Sequence, residues 1–405
     1  MNGWLHSEVM RTLSIFTSLN TTASCILAAL LLSCLLSSQH ADATTTQSTS
    51  TAKHTGPKTT KPGKKKTAPA KANKVITGKA FGKSIAVKAL AQEIAHQQQL
   101  PLAWVQQQLA KARLLPQVLQ LVLPPASVQQ KNWNAYRARF LSECRIQAGV
   151  QFWREHTLAL DQAHQRYGVE PRFIVGILGV ETYFGQHKGQ YKLLDALTTL
   201  SLNFPTSHPQ AQERQAFFQK ELGFFFKQQR SQPSRTPVLG SYAGASGWPQ
   251  FMPSSIARFA VDFDGDGRID LSKNANDAIG SVANYFKAFG WHVGMPTHFE
   301  VNVQAANESD MAALLAPDIV PSWSVAHLQE KQLVLSEAGE TFDQPLALVQ
   351  LHNGGDTPTY IAGTDNFFVI TRYNRSSYYA LAVIDLGLAV ENAMADSVEN
   401  STNCR

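Results

Sequence analysis

The sequence predicts a mainly helical α+β protein, and three observations support this fold class. Apolar residues recur at helical spacing from Ser84 to about Tyr167. Short stretches of alternating or continuous β-type residues follow Trp291 and indicate a small sheet, with strands expected at residues 298–303, 332–335 and 346–351. A final helix is expected from Tyr378 to about Ala393. A hydrophobic fraction of 44% over 405 residues is enough for a sizeable core, and the length suggests two or three domains.

The net charge of +6 arises from one segment of the chain. Residues 44–80 contain nine lysines and no acidic residue, whereas from residue 81 onward 26 Lys and Arg residues are balanced by 28 Asp and Glu residues. A nearly neutral body lacks the basic surface that nucleic-acid binding requires, so we expect no nucleic-acid partner. Four cysteines are too few for a disulfide framework, and their spacing does not suggest zinc.

The N-terminal residues indicate export. Residues 26–36 form an apolar run too short to span a bilayer, and Ala41-Asp42-Ala43 fits a small-residue cleavage site, which predicts a signal peptide over residues 1–43. A lipoprotein signal with an acylated Cys34 is the alternative, and it would supply a lipid anchor. Residues 44–78 are rich in Lys, Thr and Pro and predict a disordered linker, whose lysines would either be solvated or associate with a membrane surface.

Residues 79–168 predict a helical domain. Its apolar positions include Ile85, Val87, Leu90 and Ile94, and its aromatic residues are expected to pack in a core. We assign no chemistry to this domain.

The segment from Phe173 to Gly185 predicts a buried helix that ends in a carboxylate. Uncharged residues run into Glu181, which shares a helical face with Val175 and Leu178. A carboxyl group held against apolar side chains has a raised pKa, as a general acid of a glycosidase requires. The alternative is a glutamate that emerges into solvent at the helix end. Asp195, further on, is expected to cap a helix.

A glycine-rich stretch follows at residues 240–255. Its small residues allow close approach of a ligand to the backbone, and the alternative is a loop without function. The absence of a G-x-S-x-G pattern in this stretch argues against a serine hydrolase.

Residues 262–270 match the first half of an EF-hand loop. Oxygen ligands at positions 1, 3 and 5, a glycine at position 6 and an acid at position 9 suit calcium. Lys273 replaces the bidentate glutamate of position 12, and Asp277 would fill this gap if the loop is longer than usual.

These stretches together resemble the membrane-bound lytic murein transglycosylase B family, over residues 83–390. The matching motifs are residues 179–182 (GVET), 195–201 (DALTTLS), 240–244 (GSYAG), 250–255 (QFMPSS), 262–270 (DFDGDGRID), 277–287 (DAIGSVANYFK) and 368–374 (FVITRYN).

The resemblance implies a lysozyme-like core over residues 169–296, a small β domain over 297–359, and a C-terminal segment, 360–395, that returns to the core. It implies cleavage of the MurNAc–GlcNAc β-1,4 bond of peptidoglycan without water as nucleophile, which leaves 1,6-anhydro-MurNAc ends. The expected partners are glycan strands and other cell-wall enzymes, in the periplasm or envelope of a Gram-negative bacterium. No organic cofactor is expected.

The resemblance also assigns site residues. It places the single catalytic acid/base at Glu181. The glycan-contacting positions that it implies are Ser241, Gln250, Tyr285, Tyr373 and Asn374. The structural calcium ligands that it implies are Asp262, Asp264, Asp266, the carbonyl of Arg268, and Asp277. The segment before Asp277 is one residue longer than the family pattern.

Two other functions remain open from the sequence. A hydrolytic muramidase would use the same acid but admit water to the sugar carbon. A non-catalytic peptidoglycan-binding protein would be expected to have a damaged acid position, whereas Glu181 and its neighbours are intact.

Overall fold

The computed structural model describes residues 78–124, 131–234 and 236–396. The predicted signal peptide, Cys34 and all but the last residue of the predicted linker lie outside the described residues. The predicted division into domains is not tested by the packing described below and stays a prediction.

Helices make up most of the described chain. The first helices are α1 (Ile85–Gln98), α2 (Leu102–Lys111), α3 (Pro116–Leu121), α4 (Trp133–Ala138), α5 (Glu143–Glu155), α6 (Thr157–Tyr167) and α7 (Pro171–Thr182). Those of the middle are α8 (Leu193–Asn203), α9 (Ala211–Ser231), α10 (Pro253–Phe259) and α11 (Ala275–Ala288). The last are α12 (Glu308–Leu315), α13 (Val325–Glu330), α14 (Glu337–Glu340), α15 (Asp365–Thr371) and α16 (Ser377–Asp396).

Two antiparallel sheets accompany these helices. A two-stranded ribbon pairs β1 (Tyr191–Lys192) with β2 (Leu239–Gly240). The larger sheet has the order β4-β3-β6-β5 and consists of β3 (His298–Val303), β4 (Leu333–Leu335), β5 (Ala347–Asn353) and β6 (Asp356–Gly363). Both sheets are small, so the prediction of a mainly helical α+β protein is confirmed.

The main hydrophobic core is built around α7 and α16. Pro171 begins α7, where a missing backbone N–H costs nothing. The two helices approach closely through glycines: a Cβ on Gly176 would lie 2.2 Å from the carbonyl oxygen of Val383, and one on Gly387 would lie 2.2 Å from that of Arg172. The helix α16 is long and apolar enough for a membrane span, but more than half of that apolar stretch is buried in this core.

A second core joins α1, α2 and α3 to α8 and α9. Asp195 does not cap α8 as expected, because Lys192 occupies the N-cap position. Its carboxylate instead accepts a hydrogen bond of 2.9 Å from the backbone N–H of Arg113, between α2 and α3. Thr199, one turn later, accepts a bond of 3.0 Å from the N–H of Leu115. The face of α8 thus holds the connection between two N-terminal helices.

The helices that precede α7 contribute to both cores. Residues of α1, α2 and α3 pack in the second core, whereas α4, α5 and α6 pack in the main core with α7 and α16. The larger sheet has a separate core that includes Phe299, Leu314 and Leu328. Beyond this sheet, α15 and α16 return to the main core.

Candidate active site

Glu181 lies at the C-terminal end of α7, at the surface of the main core. The residue is half-buried, and its Oε1 accepts a hydrogen bond of 2.6 Å from the hydroxyl of Tyr379 in α16. Burial raises the pKa of Glu181 from 4.5 to about 8, and the hydrogen bond from Tyr379 opposes this rise. Among the described residues, no second carboxylate contributes to this shift. The carboxyl group is therefore desolvated at the end of its helix, and it is protonated near neutral pH.

Tyrosines form the wall beside Glu181. The ring of Tyr373 stacks on that of Tyr379 with centroids 6.2 Å apart, and the ring of Tyr285 lies 4.9 Å from Tyr373. Both predicted glycan-contacting tyrosines are buried. The hydroxyl of Tyr285 donates 2.6 Å to the carbonyl of Arg372, and that of Tyr373 donates to the carbonyl of Pro249. Both hydroxyl protons are therefore used in hydrogen bonds to the backbone, and the hydroxyl oxygens can still accept a further hydrogen bond.

Two further tyrosines of this wall were missed by the sequence analysis. Tyr379 fell within a predicted C-terminal helix, and Tyr136 was expected to pack in a core. The pKa of Tyr136 is raised by burial and, second, by the charge of Glu181. The hydroxyl of Tyr136 is buried and has no hydrogen-bond partner among the described residues. Only the tertiary fold brings these residues to Glu181, so no local sequence signal identifies them.

Ser241 and Gln250 lie in the glycine-rich loop, which we define as residues 240–252. The hydroxyl of Ser241 accepts a bond of 3.0 Å from the N–H of Ala245, which closes the first turn of the loop. Gln250 adopts a left-handed conformation with φ of 48°, and its amide donates 2.8 Å to the carbonyl of Gly247. Both side chains are thus fixed by the loop's own backbone.

The loop also contacts the rest of the wall. Its Pro249 carbonyl accepts the bond from Tyr373, and the Gln250 amide reaches the carbonyl of Lys188 at 3.4 Å, just beyond α7. Asn374 follows Tyr373, is buried, and has a side-chain oxygen without a hydrogen-bond partner among the described residues. The structure therefore brings Tyr373 against Pro249, the residue before Gln250, and Asn374 is the next residue after Tyr373.

An acidic loop, defined as residues 262–277, lies between α10 and the first turn of α11. Oxygen atoms of Asp262, Asp264 and Asp277 all lie within 4.8 Å of one another. Asp277 is fully buried, and its two oxygens accept bonds from the N–H groups of Phe263, at 2.9 Å, and Asp270, at 2.7 Å. Burial and the neighbouring acids raise its pKa. Three carboxylates at this separation suit a hard divalent cation such as Ca²⁺.

Of the calcium ligands that the resemblance implies, the carboxylate cluster includes Asp277 but not Asp266. Asp277 reaches the cluster although Lys273 occupies the usual position of the bidentate acid. Asp266 is not in this cluster, and its carboxylate accepts a bond of 2.8 Å from the N–H of Arg268. The assignment of Asp266 and of the Arg268 carbonyl as ligands therefore stays a prediction.

Comparisons with known proteins give the family. Residues 83–388 match the model of the transglycosylase SLT domain. The chain is 38% identical over 302 residues to the membrane-bound lytic murein transglycosylase B of Escherichia coli. The aligned region covers 71% of this chain and 77% of the relative.

Solved structures show the same similarity. The E. coli lytic transglycosylase Slt35, solved with bulgecin A and with calcium, is 36% identical, with a TM-score of 0.67 over 80% of this chain and 98% of Slt35. SltB3 of Pseudomonas aeruginosa, solved with NAG-anhNAM-pentapeptide, is 26% identical, with a TM-score of 0.62 over 76% of this chain and 80% of SltB3. The chain belongs to the membrane-bound lytic murein transglycosylase B family, and it is a peptidoglycan-cleaving lyase of the SLT-domain transglycosylases.

Proposed function

We propose that this protein cleaves the MurNAc–GlcNAc β-1,4 bond of peptidoglycan with Glu181 as the single acid/base, and that it forms 1,6-anhydro-MurNAc ends. The observation that supports this most is the desolvated carboxyl group of Glu181, bound by Tyr379 and without a second carboxylate acting on it among the described residues. A glycosidase that relies on two carboxylates needs a second one across the scissile bond.

In the first step, Glu181 acts as a general acid. Its raised pKa of about 8 keeps the proton on the carboxyl group at neutral pH. This proton passes to the glycosidic oxygen as the bond from that oxygen to C1 of MurNAc breaks. The 2-acetamido group of the sugar stabilises the positive charge that develops at C1, and this takes the place of a second carboxylate.

In the second step, Glu181 acts as a base. The carboxylate removes the proton of the MurNAc 6-hydroxyl as the oxygen of that hydroxyl bonds to C1. This step regenerates the protonated acid and consumes no water. The hydrogen bond from Tyr379 stabilises the carboxylate between the two steps.

The glycan would lie against the glycine-rich loop and the tyrosine wall. We assign glycan contacts to Ser241, Gln250, Tyr285, Tyr373 and Asn374. The oxygen of Asn374 and the hydroxyl of Tyr136 are buried polar groups without hydrogen-bond partners in the described part of the chain. Neither atom is accessible to solvent, so the assignment of Asn374 as a glycan contact rests on the family resemblance and not on its unpaired oxygen.

The acidic loop would hold a calcium ion as a structural element. Asp262, Asp264 and Asp277 fit such an ion, and Slt35 was solved with calcium. We assign Asp266 and the Arg268 carbonyl as further ligands. The ion would brace the loop beside the cleft and neutralise the carboxylates that crowd Asp277.

We also propose that the protein acts in the envelope of a Gram-negative bacterium. This rests on the names of its relatives, one of which is described as membrane-bound, and on the predicted signal peptide. A lipid anchor at Cys34 or the lysines of the predicted linker would supply membrane association, and other cell-wall enzymes are the expected protein partners.

Mass spectrometry of digested peptidoglycan tests the reaction. The mature protein and Glu181→Gln are incubated with the same purified peptidoglycan. We expect muropeptides lighter by one water than the hydrolytic products from the wild type, and none from the variant. Reducing ends would instead identify a hydrolytic muramidase. Binding to peptidoglycan without release of fragments, under calcium and over a range of pH, would identify a non-catalytic wall-binding protein.

A further inference from the structure

We infer that Trp248 is a positioning residue that joins the end of α7 to the acidic loop and thereby holds Glu181 against Tyr379. The inference rests on the proposed function of Glu181 and extends it to a residue outside the assigned site. Trp248 lies in the glycine-rich loop and packs against the main core.

On the side of α7, Trp248 binds the residue that follows Glu181. The side chain of Thr182 is buried, and its hydroxyl lies 2.9 Å from the carbonyl oxygen of Trp248 and 3.3 Å from that of Leu178. A hydroxyl has one proton, so the shorter contact is the better donor bond. The same oxygen accepts a bond of 3.0 Å from the N–H of Gly185. Thr182 therefore links Trp248 to both ends of the turn that follows Glu181.

This turn needs external support. Tyr183, Phe184 and Gly185 have φ values of 51°, 53° and 78°, so three consecutive residues adopt the left-handed conformation that side chains disfavour. The indole ring of Trp248 lies directly over Gly185, where a Cβ would come within 2.5 Å of it. The turn is thus held by a hydrogen bond through Thr182 and by the packing of the Trp248 ring.

On the other side, Trp248 binds the acidic loop. Its backbone N–H donates 2.8 Å to the carbonyl of Leu271, and its indole N–H donates 3.2 Å to the carbonyl of Ser272. The ammonium of Lys188 donates 2.8 Å to the same Ser272 carbonyl and lies 5.2 Å from the Trp248 ring centroid. Both carbonyls lie between Asp270 and Asp277. A continuous path of hydrogen bonds therefore runs from the acidic loop to the residue beside Glu181.

This path of hydrogen bonds affects the position of Glu181. Its bond to Tyr379 forms only if the last turn of α7 is held at the correct height against α16. Loss of the Trp248 contacts would allow this turn to shift, which lengthens the Glu181–Tyr379 bond and weakens the positioned acid. A side chain that only packs in the core would lower the stability of the protein without changing the titration of Glu181.

The first experiment compares Thr182→Val with Thr182→Ser. Valine keeps the shape of the side chain and removes its hydroxyl, whereas serine retains the hydroxyl. We expect Thr182→Val to lower kcat about tenfold on soluble glycan strands and to move the alkaline limb of its pH profile upward, with KM unchanged. Thr182→Ser should restore both quantities. The groups that face Glu181 are Tyr136, Tyr373 and Tyr379, whose own pKa values burial raises, so this limb reports Glu181.

The second experiment follows the link to the acidic loop without measuring activity. Calcium is added to the metal-free protein and tryptophan fluorescence is recorded for Trp248→Phe and for Trp323→Phe. Both variants lose one bond from an indole to a carbonyl, but that of Trp323 ends on Leu314 in the β sheet's core. We expect the calcium-dependent change in emission to be lost in Trp248→Phe and kept in Trp323→Phe.

The outcomes separate this inference from the proposed function. A wild-type kcat and pH profile in Thr182→Val, with only a lower Tm, would overturn the positioning role. So would an unchanged calcium response in Trp248→Phe. If Thr182→Val does not fold, Trp248→Phe is assayed for the same shift of the alkaline limb, and a wild-type limb overturns the inference. Activity of Glu181→Gln would instead overturn the proposed function itself.

Discussion

The hydroxyl of Tyr379 donates a 2.6 Å hydrogen bond to Oε1 of Glu181, a residue 198 positions earlier in the chain. The two groups come from α16 and α7, which pack against each other through glycines. Burial favours the neutral form of the carboxyl group, whereas this bond favours the ionised form. In the proposed reaction Glu181 adopts both forms during one turnover, and Tyr379 would then set the balance between them.

Tyr379→Phe should raise the pKa of Glu181 above its present value. The substitution removes the one contact that lowers this pKa, and burial then acts alone. The proposed reaction begins from the protonated form of Glu181. The fall in activity at alkaline pH should therefore occur at a higher pH in the variant than in the wild type. We expect kcat at its optimum to drop about 10- to 150-fold, since a hydrogen bond to a charged group contributes about 1.5–3 kcal/mol.

Tyr378→Phe is the matched control for this measurement. It removes a neighbouring hydroxyl that bonds to the backbone of His352, away from Glu181. Its alkaline limb should coincide with that of the wild type. The same alkaline limb of the pH profile in the wild type, Tyr379→Phe and Tyr378→Phe would contradict the role assigned to Tyr379.

Glu181→Gln should stabilise the protein more at pH 8 than at pH 4.5. Because the pKa is about 8 in the folded protein and near 4.5 in the unfolded chain, only the folded protein retains this proton between these values. The free energy of unfolding therefore falls as the pH rises through this range, by an amount on the order of 3 kcal/mol. Glutamine carries no such charge. Urea unfolding of both proteins across the range measures the difference, and parallel pH dependences would contradict the raised pKa.

Removal of calcium should lower the Tm of the wild type. An ion at Asp262, Asp264 and Asp277 would stabilise the folded state by about 2.7 kcal/mol at a hundredfold excess over its Kd. Asp277→Asn should abolish the response to a chelator. Arg268→Ala is the control, because only the backbone carbonyl of Arg268 is assigned to the ion. If a chelator abolished catalysis without lowering the Tm, the ion would not be a structural brace.

Asp195→Ala should destabilise the protein by about 1–3 kcal/mol, because it leaves the N–H of Arg113 without its acceptor. Asp195→Asn retains an acceptor oxygen and should cost much less. Urea denaturation compares the two, and peptidoglycan cleavage by the folded variants should match that of the wild type. An equal loss in both variants would indicate that the charge, and not the hydrogen bond, is required.

Much of the fold follows from local sequence patterns. The expected strand at residues 298–303 is observed with these limits, and the C-terminal helix expected from Tyr378 begins one residue earlier. Such elements carry their own periodicity. The strand β6 was missed because its residues, which include Pro358 and Asp356, lack a strong β pattern, and pairing with β3 and β5 decides its conformation.

The site is less visible in the sequence. Glu181 could be located because an apolar helix ends at it, which is a local signal. Tyr136 and Tyr379 could not, because each lies in an ordinary amphipathic or apolar helix and reaches Glu181 only through packing. The same holds for Asp195, whose position in the first turn of α8 suggested a cap while its partner lies 82 residues away.

The docking of α16 on α7 has a consequence for biosynthesis. Ribosomes build the chain from its N-terminus, so Glu181 is made long before Tyr373 and Tyr379. A nascent chain that stops short of these residues contains Glu181, Tyr136 and Tyr285 but lacks Tyr373 and the hydroxyl of Tyr379 that binds the carboxyl group. In the proposed reaction, cleavage of peptidoglycan would therefore begin only after the last helix has been synthesised and has packed on α7.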